Sequence, residues 1–227
     1  MTTVCFDRVQ LRYDEHVVLH EIELTLTEQR IGVIGCNGSG KSTLARLING
    51  LVHPSAGRVT VDGLDVVKHG AQVRSRVGFV FTNPDSQIVM PTVQEDVAFS
   101  LRRLRLPAPE AAERTHAALE RFGIANLADR PAHRLSGGQK QLLALASILV
   151  TEPQLVVADE PTTLLDARNA RLIAEHFAAL EQQLVLVTHH LDTLQSFDRV
   201  IVIDEGRVVA DDQPKAAIAF YERLASL

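Results

Sequence analysis

A short glycine-rich segment, GCNGSGKST at residues 35–43, constrains the fold of this chain more than any other feature. It matches the pattern G-x-x-x-x-G-K-[ST] and stands between the apolar run 31–36, which predicts a buried strand ending at glycine, and a helix-forming stretch at 42–50. A strand, a glycine turn and a helix in this order direct several backbone N–H groups and the positive end of the helix dipole at one point. The segment therefore predicts a site that holds an anion such as phosphate.

The side chains of this segment suit a nucleotide and a hard metal ion. Lys41 supplies a positive charge for the β- and γ-phosphates, and the Ser42 hydroxyl is an oxygen ligand suited to Mg²⁺. An ordinary glycine-rich turn is the competing interpretation, but such a turn tolerates many residues in place of Lys41 and Ser42. The other residues expected to line the phosphates are Gly35, Cys36, Asn37, Gly38, Ser39, Gly40 and Thr43.

Two acidic residues follow a second predicted buried strand, LVVAD at 155–159. Ligands gather at the carboxyl ends of strands in a parallel sheet, so Asp159 and Glu160 are expected to face the phosphates. Asp159 would hold Mg²⁺ through a water, and Glu160 would orient and deprotonate an attacking water. The alternative is a strand that simply exits into solvent with acidic residues.

A second glycine motif, LSGGQ at 135–139, leads into an apolar helix. Ser136 is placed as the N-cap, and Gly137, Gly138 and Gln139 follow it, so the backbone of this segment can form a second anion site. On its own the string is also compatible with a plain helix cap. Its position, with Gln139 standing 20 residues before Asp159, favours the functional interpretation.

Along the chain, segments whose apolar residues have the spacing of a strand alternate with segments whose apolar residues have the spacing of a helix. Alternation at 4–11 and at Ile22, Leu24 and Leu26 predicts two half-buried strands of an antiparallel layer. Between 83 and 150 the period is helical. Further strands are predicted at 57–63, 76–82, 155–159, 184–188 and 199–204, and a further helix at 166–180.

This order of elements predicts an α/β fold with a mainly parallel sheet covered by helices. A chain of 227 residues is long enough for one sizeable domain with a smaller subdomain. We expect one domain over 1–227, with a core formed by 1–82 and 151–227 and a helical subdomain at 83–150 that carries LSGGQ.

Charge and cysteine content narrow the possible partners and location. The net charge of −5 gives no basic field for nucleic acid or an anionic membrane surface. The longest apolar runs fall short of the roughly 20 residues of a spanning helix, and the first ten residues lack a signal-peptide pattern. The cysteines Cys5 and Cys36 have no metal-ligand spacing, and Cys36 is interpreted as a small filler in the loop. A reducing cytoplasm, with any membrane contact made through protein partners, is expected.

The four segments GCNGSGKST, LSGGQ, LVVADEP and THH, in this order, resemble the ATP-binding cassette ATPases over essentially the whole chain. The resemblance implies a RecA-like P-loop core with an antiparallel β layer and an inserted helical subdomain, with ATP and Mg²⁺ as cofactors. It also implies a head-to-tail dimer, in which each ATP lies between the phosphate loop of one chain and LSGGQ of the other.

Individual positions gain roles from the same resemblance. Tyr13 matches the aromatic residue that stacks on adenine, with a surface strand tyrosine as the alternative. His189 matches the histidine that contacts the γ-phosphate, with a buried structural histidine as the alternative, and His190 is interpreted as non-catalytic. Asp166 matches the aspartate of the loop after the acidic strand, although TTLLD replaces the commoner S-G-L-D. Thr82 is a departure, because the family usually has a glutamine there that touches Mg²⁺ and the attacking water. A water is expected to take the place of that amide, with Gln87, five residues later, as the alternative.

The strings NPDSQ and PTVQEDVAF, at 83–87 and 91–99, resemble the ATPases of energy-coupling-factor importers for vitamins or transition-metal ions. The biotin-importer ATPase is the nearest type, followed by the cobalt and nickel type. This resemblance implies a place on the cytoplasmic face of the membrane, beside a membrane-embedded coupling protein that docks near 83–99 and a separate substrate-capture subunit. The chain itself would not contact the transported solute or nucleic acid.

Several alternatives remain at this stage. The chain could serve a conventional cassette importer or exporter, work as a soluble cassette ATPase, or bind ATP without hydrolysing it. The second ATPase chain could be an identical copy or a different chain. The segment 83–99 could equally be a structural hinge.

Overall fold

The computed structural model describes residues 1–226, which fold into alternating strands and helices. The strands are β1 (Val4–Tyr13), β2 (His16–Leu26), β3 (Arg30–Ile34), β4 (Ala56–Val61), β5 (Leu64–Asp65), β6 (Val77–Val80), β7 (Leu155–Asp159), β8 (Gln183–Val187), β9 (Arg199–Asp204) and β10 (Arg207–Asp212). The helices are α1 (Lys41–Ile48), α2 (Gly70–Arg76), α3 (Val93–Leu101), α4 (Ala108–Arg121), α5 (Gly137–Leu149), α6 (Ala167–Ala178) and α7 (Pro214–Ala225).

Contacts divide the chain into two compact units. The first comprises 1–77, 154–160 and 180–227, and the second comprises 78–153 and 161–179. The second unit thus takes in 161–179, which the sequence interpretation assigned to the core.

The first unit contains an antiparallel sheet with the strand order β2-β1-β4-β5. Apolar side chains of β1 alternate into the core, but the alternation shifts between Phe6 and Val9. A bulge at Arg8, whose φ is 47°, causes this shift, since one extra residue moves the following side chains to the other face. The predicted antiparallel layer is confirmed.

The first unit also contains the central sheet, in which five strands have the order β10-β9-β3-β8-β7. Strand β3 runs parallel to β8 and β9, and β7 runs parallel to β8. Their residues are apolar on both faces and nearly all buried, as expected for a parallel sheet covered by helices. The parallel order brings the carboxyl ends of β3, β7 and β8 to one edge, which is where the phosphate loop and the two acidic residues lie.

The second unit is largely helical. Helix α5 is almost wholly buried, whereas α4 exposes most of its surface and buries Thr115 and Leu119. Helix α3 begins with a capping box, in which Glu95 accepts hydrogen bonds from the backbone and the hydroxyl of Thr92. The helical character expected for 83–150 is therefore present.

Several element bounds differ from the sequence prediction. Strand β3 ends at Ile34 rather than at residue 36, because Gly35 has a φ of 152° and turns the chain. Strand β6 spans Val77–Val80 rather than 76–82, and α2, β10 and α7 were not predicted at all. No helix within residues 1–226 is long and apolar enough to cross a membrane.

Candidate functional site

The loop between β3 and α1 has the shape that its glycines require. The φ angles of Gly35, Gly38 and Gly40 are 152°, 80° and 105°. A Cβ at Gly35 would lie 2.0 Å from the Ile203 carbonyl oxygen, whereas a Cβ at Gly38 would meet nothing within 4 Å. Glycine is thus required sterically at 35 and conformationally at 38.

Lys41, the first residue of α1, is 5% exposed and turned back into the loop. Its Nζ donates to the carbonyl oxygen of Gly35 at 2.9 Å and to that of Cys36 at 2.7 Å. Burial lowers the pKa of Lys41, and the nearby carboxylates of Glu160 and Asp159 act in the opposite direction. The ammonium group is therefore held by the loop and faces the acidic end of β7.

Ser42 meets the first acidic residue. Its Oγ donates to Oδ1 of Asp159 at 2.7 Å, and Asp159 is fully buried. On the other side of the carboxylate, Nη2 of Arg46 lies 3.3 Å from Oδ2. Burial raises the pKa of Asp159, while the Ser42 hydrogen bond and the Arg46 charge oppose that rise.

These oxygens form a donor set that fits Mg²⁺. A serine hydroxyl and a carboxylate are hard ligands, and they lie side by side at the phosphate loop. No group of three or more His, Cys, Asp or Glu side chains within residues 1–226 could hold a metal ion. The Ser42 hydroxyl and the Asp159 carboxylate would suit a metal that takes one or two protein ligands and completes its shell from substrate phosphates and water, as Mg²⁺ does.

Glu160 stands immediately after β7 in a strained conformation. Its φ is 47°, which is uncommon for a residue other than glycine, and its N–H donates to the Val187 carbonyl oxygen at 2.9 Å. Such backbone strain costs about 1–3 kcal/mol and clusters at functional sites. The Glu160 side chain remains 19% exposed, whereas Asp159 is fully buried.

His189 follows β8 on the same edge of the sheet. Its Nδ1 lies 3.9 Å from Oε2 of Glu160, and its side chain is 50% exposed, so it is not a buried structural histidine. Its ring lies 4.1 Å from that of His190. Burial, and next the neighbouring His189, lower the pKa of His190. The loop after β8 thus places an accessible imidazole beside Glu160.

The LSGGQ segment lies in the second unit at the start of α5. The Ser136 Oγ accepts from the Gln139 N–H at 3.3 Å, and Gln139 Oε1 accepts from the Ser136 N–H at 3.0 Å. This capping box gives the backbone N–H groups of Ser136 and Gln139 hydrogen-bond acceptors within the segment itself. Gly138 is buried, and a Cβ there would lie 2.4 Å from Oδ1 of Asn169, whereas a Cβ at Gly137 would meet only Leu165 at 3.7 Å.

Two residues transferred from the family resemblance occupy exposed positions. Tyr13 ends β1 at the hairpin and is 54% exposed. Asp166 is the N-cap of α6, where it accepts from the Asn169 N–H at 2.9 Å, and its pKa is lowered chiefly by this hydrogen bond. Tyr13 is accessible to a flat ligand, and Asp166 has a local structural task.

Gln87, considered as a substitute for the missing glutamine at Thr82, is tied down within the second unit. Its Nε2 donates to the Ala144 carbonyl oxygen at 2.9 Å, and its Oε1 accepts from the Phe81 N–H at 3.4 Å. A swing of Gln87 toward a nucleotide would break both contacts.

Sequence reasoning missed one residue of the site, Arg46, and the structure adds a detail to Ser39, which the sequence had already placed among the residues lining the phosphates. Arg46 lies one turn after Ser42 in α1, and the spacing i, i+4 could have indicated that both reach the same carboxylate. The Ser39 Oγ is buried and has no hydrogen-bond partner among residues 1–226, which leaves a donor within the loop.

This chain resembles known proteins over most of its length. The sequence model of the ABC transporter family matches residues 19–163. A putative ABC transporter ATP-binding protein of Deinococcus radiodurans is 52% identical over 213 residues, which are 94% of each chain. The biotin transport ATP-binding protein BioM of Rhizobium etli is 44% identical over 221 residues, covering 97% of this chain and 98% of that one.

A solved structure shows the same fold. The structure of cbiO1 from Clostridium perfringens, described as part of the ABC transporter complex cbiONQ, superposes with a TM-score of 0.82 at 34% identity. The match covers 98% of this chain and 93% of that one. The chain therefore belongs to the ABC transporter family, as an ATP-binding subunit with ATPase activity.

Proposed function

We propose that this chain energises the import of a small solute, such as the vitamin biotin or a transition-metal ion, by hydrolysing MgATP on behalf of membrane subunits. One observation carries the ATPase part: Lys41, Ser42, Asp159 and Glu160 converge at the edge where β3 and β7 end. The import part is supported by whole-length similarity to the biotin transport protein BioM and to cbiO1.

In this proposal the phosphate loop binds ATP before any chemistry occurs. The N–H groups of residues 35–43 and the N-terminus of α1 surround the β- and γ-phosphates, and Lys41 neutralises part of their charge. The buried Ser39 hydroxyl supplies one further donor. Tyr13 stacks on the adenine ring from its exposed position on the hairpin.

Ser42 and Asp159 hold the metal in this proposal. Bound Mg²⁺ would neutralise charge that develops on the transferred phosphoryl group. Arg46 holds Oδ2 of Asp159 and leaves Oδ1 beside the Ser42 hydroxyl, so the carboxylate presents one fixed oxygen.

Glu160 acts as the general base. Its carboxylate accepts the proton of the attacking water, and His189, beside it, contacts the γ-phosphate. The strained turn at Glu160 fixes where the carboxylate can reach. These roles describe how the chain would hydrolyse ATP, and substitution experiments can test each of them.

The working unit in this proposal is a head-to-tail pair of ATPase chains, identical or different. Ser136, Gly137, Gly138 and Gln139 of one chain close on the ATP held by the other, with Asp166 next to that closure. The pair attaches to a membrane-embedded coupling protein at the cytoplasmic face, while a separate membrane subunit captures the solute. The exposed apolar side chains of Val89 and Phe99, 63% and 42% exposed, support a docking surface in the segment 83–99.

The decisive experiment is purification of the tagged chain from membranes of its own cell, followed by identification of the bound subunits. The purified complex is placed in liposomes that are loaded with ATP and Mg²⁺, and uptake of biotin, Co²⁺ and Ni²⁺ from the outside medium is measured. We expect bound integral membrane subunits and ATP-dependent uptake of one of these solutes, with a Lys41→Ala complex as the inactive control. Purification without membrane subunits, together with hydrolysis that drives no uptake, would reject the proposal.

A further inference from the structure

One face of α5 contacts the segment 85–96, which leads into and begins α3. Positions 140, 144 and 147 are spaced by four and three residues, so they follow one side of the helix. Nζ of Lys140 lies 2.6 Å from Oδ1 of Asp85. One turn later, the Ala144 carbonyl oxygen accepts from Nε2 of Gln87 at 2.9 Å. The two contacts run up the helix in the same order as their partners along the chain.

The third contact is made by a buried carboxylate. Asp96, in the first turn of α3, is 3% exposed and accepts from the Ser147 hydroxyl at 2.8 Å through Oδ2. Its Oδ1 accepts from the N–H groups of Val89 and Met90 at 2.9 and 3.0 Å. One carboxylate thus joins the turn at 89–90 to the last third of α5.

Burying a carboxylate costs free energy, because the charged group loses its contacts with water. Its charge is tolerated only where several donors satisfy it, and the loss of one donor exposes the full desolvation penalty of the group. Hydrogen bonds to a charged acceptor are also about twice as strong as neutral ones. Asp96 therefore depends on all three of its donors, and the loss of the Ser147 hydroxyl weakens its hold on the turn at 89–90.

The turn that Asp96 holds carries an exposed apolar side chain. Val89 is 63% exposed, although its own N–H is fixed from beneath. At the opposite end of α5 from Ser147, the N-cap of the helix is Ser136, in the motif expected to close on ATP. A continuous α-helix of this length is stiff, so a displacement of the turn moves Ser136 with it.

We propose that Asp96 is a positioning residue, which locks the segment 85–90 to α5 so that the apolar turn at Val89 and the motif serine Ser136 move as one body. When a docked membrane protein displaces the turn at Val89, the displacement is transmitted to Ser136 through Ser147 and α5. The existence of such a displacement rests on the proposed function, whereas the lock is a property of this chain alone.

The lock is tested on the isolated protein by hydrogen exchange of the amides of Val89 and Met90. Ser147→Ala leaves Oδ2 of Asp96 without its donor, so we expect exchange of both amides to be about tenfold faster, the factor for loss of about 1.4 kcal/mol. Thr115→Val is the matched control, since it removes a buried hydroxyl of α4 that donates only to its own helix. Equal exchange in wild type and Ser147→Ala would overturn the lock.

Asp96 itself offers a graded pair of variants. Asp96→Asn keeps one oxygen for the two N–H groups, and its amide can donate to the Ser147 oxygen, so exchange should stay within about threefold of wild type. Asp96→Ala removes every acceptor and should raise exchange of both amides at least as much as Ser147→Ala. If Asp96→Ala does not fold, Ser147→Ala and Asp96→Asn still give opposite expectations.

The role in coupling is tested in the purified membrane complex as the number of solute molecules taken up per ATP hydrolysed. We expect Ser147→Ala to lower this ratio at least threefold while hydrolysis by the isolated chain stays within twofold, and Asp96→Asn to retain the wild-type ratio. A merely structural role predicts that uptake and hydrolysis fall together, and that result would overturn the proposal. A wild-type complex that transports nothing rejects the proposed function instead, and the exchange result still decides the lock.

Discussion

Replacing Gly35 by alanine tests whether the phosphate loop has the shape described. At a φ of 152° an L residue is strained, which costs about 1–3 kcal/mol. The added Cβ would lie 2.0 Å from the Ile203 carbonyl oxygen, and this backbone atom cannot rotate away as a side chain can. The shifts that accommodate this overpacking cost about another 1–3 kcal/mol, so the free energy of unfolding should fall by about 2–6 kcal/mol in total.

Gly38→Ala is the matched control within the same loop. Its φ of 80° is also left-handed, but a Cβ there meets nothing within 4 Å. Only the conformational cost of about 1–2 kcal/mol remains. The free energy of unfolding of both variants is measured by urea denaturation without nucleotide, and ATP affinity by equilibrium binding of a fluorescent analogue.

We expect Gly35→Ala to lose more stability than Gly38→Ala and to bind ATP at least thirtyfold more weakly than wild type. The affinity falls because the Gly35 carbonyl, which holds the Lys41 ammonium at 2.9 Å, must move. Wild-type stability and affinity in Gly35→Ala would refute the steric reasoning, as would equal losses of stability in the two variants.

Three further outcomes are expected. Arg46 opposes the burial-driven rise in the pKa of Asp159, so Arg46→Met should raise that pKa further. Mg²⁺-dependent ATP binding needs the ionised carboxylate, so on acidification the variant should lose this binding at a higher pH than wild type. A pH titration of ATP binding measures this shift. Gln87→Ala should leave hydrolysis by the isolated chain within about twofold, because its amide already has two backbone partners, whereas Thr82→Gln should increase hydrolysis; a large loss in Gln87→Ala would instead place Gln87 at the nucleotide. Ser136→Arg should prevent dimerisation driven by a slowly hydrolysed ATP analogue, as judged by light scattering, and an undiminished dimer would contradict the head-to-tail arrangement.

The phosphate loop could be predicted from sequence because its chemistry lies in contiguous residues. A run of nine residues contains the glycines, Lys41 and Ser42, and the flanking apolar strand and helix determine their orientation. The meeting of Ser42 with Asp159 was equally predictable, since parallel strands bring their carboxyl ends to one edge of the sheet.

Contacts between distant residues were not predictable in the same way. Asp96 and Ser147 are 51 positions apart and leave no local pattern. Arg46 and Asp159 are 113 positions apart, and their only local signal is the i, i+4 spacing of Ser42 and Arg46. Strand β10 escaped prediction because it is an exposed edge strand without a buried alternation. Helix α7 did leave a signal, since Pro214 occupies its first position and Ala217 and Ile218 follow on its buried face.

The nucleotide contacts of Tyr13 and His189 follow neither from the sequence pattern nor from the geometry of the site. Tyr13 is exposed where an adenine ring could stack, yet exposed strand tyrosines are common, so its role stays a prediction. The same holds for His189, whose Nδ1 lies 3.9 Å from Glu160, longer than a hydrogen bond. Substitution followed by nucleotide binding assays is the appropriate test of both.

The role of Glu160 as general base is tested by steady-state ATP hydrolysis of Glu160→Gln, with MgATP binding measured on the same sample. The phosphate loop, Ser42 and Asp159 are untouched by this change, so binding should stay within about threefold of wild type. Loss of the general base should lower turnover by about 10²- to 10⁴-fold. Near-normal hydrolysis by Glu160→Gln would contradict the account, because the carboxylate beside His189 would then not be the base.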